Sequence, residues 1–131
     1  MLLPFGACDD GRNLAGQYIL VAVDGVDASE YLMENSAGQF VTAAGGGVDL
    51  CGDGRYRMNI SYRDEDGRQV PVVSSGHFER NDATLTLVDS GDLGPVAASV
   101  TGGLLTVQMD AHEFELLMLV QLPPFTPPDC G

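Results

Sequence analysis

Apolar and polar residues alternate along most of this chain in short runs, punctuated by turns rich in glycine, aspartate and asparagine. A period of two sends successive side chains to opposite faces of a β-strand, so evenly spaced runs of this kind predict an all-β sandwich or barrel. Eight strands are predicted, over 17–23, 46–51, 55–63, 70–80, 84–88, 95–101, 104–110 and 112–120. The turns include Asp24-Gly25, Asp53-Gly54 and Asp66-Gly67, a dipeptide favoured in type I′ hairpins because both central residues take positive φ. Short loops make sequence neighbours pair, which predicts an antiparallel up-and-down meander. Eight such strands lose both exposed edges by closing on themselves, so the expected fold is an eight-stranded barrel whose first and last strands meet.

Alternation also assigns the faces. In 55–63 the residues Tyr56, Met58, Ile60 and Tyr62 share one side, while Arg55, Arg57, Asn59, Ser61 and Arg63 share the other. The apolar set belongs inside, together with Tyr18, Leu20, Phe78, Leu85, Leu87, Val107, Met109, Phe114, Leu116 and Met118. An eight-stranded barrel has an interior that side chains can fill or that can hold one small ligand. Large aromatics and short loops favour filling. One segment departs toward helix: Asp27 to Asn35 has an aspartate cap with Glu30 three residues on, predicting a short helix between the first two strands. The glycine-rich stretch 43–47 is expected to be irregular, and Pro123-Pro124-Phe125-Thr126-Pro127-Pro128 to lie extended.

A breach of the alternation is the most suggestive feature. Ile19, Val21 and Val23 fall on the outward phase of the first strand, and Leu117 and Leu119 on that of the last. Barrel closure would bring them together as one apolar patch, which a monomer rarely leaves bare. Its cover is either the short helix or the Pro-rich tail, or another protein. Phe125, between proline pairs, adds an arm suited to docking in a groove.

Charge narrows the partners. All six basic residues are Arg, against 19 Asp+Glu, for a net charge of −13. Such a field repels nucleic acid and anionic bilayers, and is compatible with solubility or with steering toward a basic partner. No stretch approaches the roughly 18 apolar residues of a spanning helix. The organisation expected is an N-terminal arm over 1–14, a barrel over 15–122 and a Pro-rich tail over 123–131. Phe5-Gly6-Ala7-Cys8 looks like the end of a bacterial lipobox, which makes Cys8 a lipidation candidate. A Cys51–Cys130 disulfide would then use the remaining cysteines; a Cys8–Cys130 bridge and three reduced thiols are the rival assignments.

Candidate catalytic chemistry is thin. His77 and His112 lack metal-ligand spacing, and Asp64-Glu65-Asp66-Gly67 and Asp89-Ser90-Gly91-Asp92 do not match a calcium loop. Ser74 and Ser75 precede His77 with no acid placed to orient the imidazole, and Gly45-Gly46-Gly47 is not followed by Lys-Ser/Thr. Neither an enzymatic activity, nor a metal, nor a cofactor is expected.

Gly16-Gln17-Tyr18-Ile19-Leu20-Val21-Ala22-Val23-Asp24-Gly25 resembles the first strand of small bacterial lipocalin-like domains. The same likeness extends to Leu50-Cys51-Gly52-Asp53-Gly54-Arg55-Tyr56, to Gly76-His77-Phe78-Glu79-Arg80 and to Ala83-Thr84-Leu85-Thr86-Leu87, covering 15–120. Tyr18 stands where lipocalins carry the Trp of a Gly-x-Trp motif, and this chain has no Trp. The resemblance implies an exported, non-enzymatic barrel, often tethered as a lipoprotein. The expected role is that of a periplasmic accessory or scaffolding subunit, docking on a protein at a membrane-associated assembly. Carriage of a small apolar ligand in the interior, among Tyr18, Tyr56, Met58, Tyr62, Phe78, Met109 and Phe114, is the alternative.

Overall fold

The computed structural model describes residues 15–34, 37–91, 94–109 and 111–119. They form β1 (Gly16–Val23), β2 (Val26–Asp27), β3 (Leu32–Glu34), β4 (Phe40–Leu50), β5 (Arg55–Arg63), β6 (Gln69–Asn81), β7 (Thr84–Asp89), β8 (Pro95–Thr101), β9 (Leu104–Met109) and β10 (His112–Met118). Strands β4 to β10 pair in sequence order, and β1 closes the cylinder by pairing with both β10 and β4. The closed wall therefore has eight antiparallel strands, with β2 and β3 as short additions beside β1 and β4.

Turn chemistry explains the meander. Asp24 and Gly25 both take positive φ (52° and 81°), as a type I′ turn requires. The other two Asp-Gly pairs differ. Around Asp53-Gly54 and Asp66-Gly67 only the glycine is left-handed, and Cys51 N–H bonds Arg55 O while Asp64 N–H bonds Arg68 O. These are three-residue loops closed by a glycine bulge. Among the described residues Gly102-Gly103 makes a second turn with positive φ at both positions (57° and 83°).

No helix is found among the described residues. Over 27–34 the chain makes β2, a single turn and β3 instead. The Asp27 cap is real, since its carboxylate accepts from Ser29 N–H at 3.0 Å, but the turn ends there. So short a segment gains little from helix once the cost of nucleation is met, whereas pairing with β4 buries Met33 opposite Val41.

The glycine-rich stretch is not irregular either. It continues β4, with a bulge between Ala43 and Gly45. Glycine is required because neighbouring backbones press close: a Cβ on Gly46 (φ +146°) would run into the Asn59 carbonyl, and one on Gly47 would lie 2.7 Å from Tyr18 O.

The core is the barrel interior, one cluster that includes Tyr18, Leu20, Tyr56, Met58, Ile60, Tyr62, Phe78, Phe114 and Leu116, with Met109 and Met118 packed against it. Tyr62 and Phe114 meet edge-on with ring centres 6.4 Å apart. Burial pushes the Tyr18 phenol up to about 12. The one buried polar side chain among the described residues, Ser74, is tied in at both ends: Tyr56 Oη lies 2.6 Å from its hydroxyl, which donates to Asp89 Oδ1 at 2.7 Å.

Candidate functional site

The seam between first and last strands forms as the alternation requires. Ile19 lies opposite Leu117, Leu20 opposite Leu116 and Tyr18 opposite Met118. Beyond Leu20 the register slips by one residue at a bulge, so that Ala22 faces Glu115 and Val23 faces Phe114. The slip corrects one expectation. Val23, assigned outward with Ile19 and Val21, is fully buried (0% exposed). Val21 is the extra residue and stays outside.

Four members of the apolar patch are therefore in place: Ile19 (46% exposed), Val21 (37%), Leu117 (49%) and Leu119 (47%). Leu119 is held beside the strip by its N–H bond to Gln17 O at 2.7 Å. Phe125, Cys8 and Cys130 lie outside the described residues. Cys51 is buried and disulfide-bonded, its partner outside the described residues, which sets aside three reduced thiols.

The strip runs further round the wall than the sequence shows. Cross-strand pairing aligns Leu104, Leu117, Ile19, Gly47, Asn59 and Val73 in one transverse row over β9, β10, β1, β4, β5 and β6. Val73 is 69% exposed. Between Ile19 and Val73 the row drops to bare backbone at Gly47, and a groove of about 470 Å³ opens there, lined by Gly47, Asp49, Arg57, Met58, Asn59, Val73, Ser74 and Ser75. At its rim Arg57 donates to Asp49 at 2.9 Å. Reading strands singly could not find this row, because it depends on which residue of β4 meets Ile19. Besides Arg57, Arg55, Arg63 and Glu79 stand exposed on β5 and β6, so the apolar strip is no lipid-facing girdle. No helix among the described residues is long and apolar enough to cross a membrane.

A second cluster, unforeseen from the sequence, sits where the β1–β2 turn meets β10 and β3. Asp24 accepts from Glu113 N–H (2.9 Å) and from Tyr31 Oη (3.0 Å), and lies 2.6 Å from His112 Nδ1. His112 Nε2 is 2.8 Å from Glu34 O. Both ring nitrogens thus face acceptors, an arrangement that only the imidazolium satisfies fully. The Glu113 N–H first, then His112, holds the Asp24 carboxyl below its usual range, and the Asp24 bond raises the Tyr31 phenol. With both nitrogens occupied, His112 clasps three strand ends rather than offering a base.

The remaining sequence candidates are separated. Ser74 points inward, whereas Ser75 and His77 point outward, and His77 faces Glu79 at 3.5 Å. Asp64 Oδ1 is taken by the N–H groups of Asp66 and Arg68, and Asp89 Oδ2 by that of Gly91, so these acids close their own turns. Among the described residues no three His, Cys, Asp or Glu side chains gather as a cation site. Comparison of the chain with protein-family models, with curated proteins and with solved structures finds no match in any of the three.

Proposed function

We propose that the protein is a non-catalytic docking module, a lipocalin-like barrel serving as an accessory or scaffolding subunit outside the cytoplasm, at a membrane-associated assembly. The observation that carries this reading is the exposed row at the seam, where Ile19 and Leu117 sit directly opposite one another on the outer wall. A barrel needs its inward residues apolar; it has no folding need for leucine and isoleucine on the outside. An apolar centre with a polar rim is the usual anatomy of a protein interface. The disulfide at Cys51 supports an oxidising compartment. Burial of Tyr18, Tyr56, Tyr62, Phe78 and Phe114 in one core cluster favours docking over carriage of an apolar ligand.

Photocrosslinking in the native host tests the reading. A photoreactive side chain at Leu117 should give one discrete adduct that Ile19→Ser removes, and the same probe at Thr86 should give none. Equal labelling from both positions would sink the docking role. A small apolar molecule retained at unit stoichiometry in native mass spectrometry would favour carriage instead.

A further inference from the structure

The segment Asp27 to Glu34 belongs to the core through Ala28 and Met33, with Tyr31 packed against it. Ala28 N–H ties its first half to β1 by a bond to Val21 O at 3.1 Å, and β3 ties its second half to β4. His112, at the start of β10, adds a tie to the end of β3, a strand that pairs with β4 and not with β10. Its side chain is only 14% exposed. The groups that face the ring are Asp24 from the β1–β2 turn (2.6 Å from Nδ1), the Glu34 carbonyl from β3 (2.8 Å from Nε2) and the Tyr31 ring, edge-on at 6.1 Å. On β10 itself Glu113 turns its carboxylate to Gln108 at 2.9 Å, and Met109, opposite on β9, is uncharged. Asp110 lies outside the described residues. A neutral imidazole has one N–H to give. The Asp24 carboxylate, as the charged acceptor, keeps it on Nδ1. Nε2 then turns a lone pair toward the Glu34 oxygen, and a hydrogen bond becomes a contact between two acceptors.

We propose that Asp27 to Glu34 is a proton-gated strap, held down while the His112 ring is charged and released at its Glu34 end when Nε2 loses its proton. Mildly acid surroundings keep the strap closed and alkaline ones loosen Met33, the side chain that β3 buries. Because the clasp holds the charged ring, its stabilisation is fully present below the ordinary histidine value of about 6.5 and is lost as pH rises through the higher value of the clasped ring.

Imidazole nitrogen NMR and amide hydrogen exchange on the full chain test this together. At about pH 6 both His112 nitrogens should carry hydrogen, and toward about pH 9 Nε2 should lose its proton while Nδ1 keeps it. Over the same range the amides of 28–34 should lose about tenfold of their protection relative to those of β7, with the midpoint of the ring titration. His112→Phe keeps an aromatic edge for Tyr31 but has no donor, so its strap should exchange fast at both pH values and show no step. His77→Gln should keep the step. Protection of 28–34 that follows β7 through the ring titration would overturn the proposal, as would loss of the proton from Nδ1 first. A step that survives in His112→Phe, or disappears in His77→Gln, would assign it to another group and overturn it equally. Should His112→Phe not fold, the ring titration and exchange of the unaltered chain decide between these outcomes on their own.

Discussion

Two outer faces of the same cylinder differ sharply. On β7 and β8 the outward residues are Thr84, Thr86, Val88, Pro95, Ala97, Ser99 and Thr101, with Thr84 opposite Ser99, Thr86 opposite Ala97 and Val88 opposite Pro95. On β10 and β1 the equivalent positions hold Leu117 and Ile19. Behind both faces the interior is equally dense: Leu85 and Leu87 are as buried as Leu20 and Leu116. That face shows that this wall folds with mostly small residues and no leucine or isoleucine outside. The docking proposal reads the apolar face as reflecting a demand other than folding.

Several perturbations sharpen the contrast, beginning with the most damaging. Leu116→Ala should cost about 2–5 kcal/mol of unfolding free energy in urea titrations, whereas Leu117→Ala, one residue away and outside, should cost under about 0.5 kcal/mol. Equal losses would mean the two faces are not distinguished. Removing the Cys51 bridge should cost about 2–4 kcal/mol. Thiol titration of the unfolded, unreduced protein should accordingly find at most one of the three cysteines reactive. Val23→Ser should destabilise by about 2–3 kcal/mol, as for loss of a buried valine with a hydroxyl introduced; Val21→Ser should be near neutral. The reverse order would remove the bulge.

Asp24→Asn is a smaller and pH-dependent effect. Asparagine also tolerates the left-handed turn, so the substitution removes charge with little change to backbone preference. Because the folded carboxyl is held below the ordinary 3.8, its stabilisation is fully present above that value and lost as pH falls through the lower, folded one. The wild type should exceed the variant by about 1 kcal/mol near neutrality, and the gap should close as pH falls below about 4. A gap that persists at pH 2 would show that the clasp does not depend on the charge.

The strand order was legible because turn residues and alternation are local signals. Seven of the eight barrel strands lie close to their expected spans, whereas β4 begins at Phe40 and not at 46, and closure of β1 on β10 followed from edge removal. The slip at Val21 was hidden because Ile19 to Val23 is apolar in both phases, so shifting the register changes no visible pattern. The helix expectation failed at Asp27, where a genuine cap serves one turn and tertiary pairing of Met33 decides the rest. Gly45-Gly46-Gly47 read as irregular because a close approach by Asn59 and Tyr18 is invisible in the sequence. His112 and Asp24 are 88 residues apart, and no local pattern couples them.

Urea unfolding of the Ile19→Ser, Leu117→Ser double variant tests most directly whether the seam strip is surplus to folding. Its two residues form one exposed cross-strand pair, and such pairs contribute about 0.2–1 kcal/mol. A strip kept for a partner predicts a loss below about 1 kcal/mol with an unchanged denaturant dependence. A loss above about 3 kcal/mol, the scale of a core truncation, would mean that the chain itself buries the strip, contradicting a face kept for another protein.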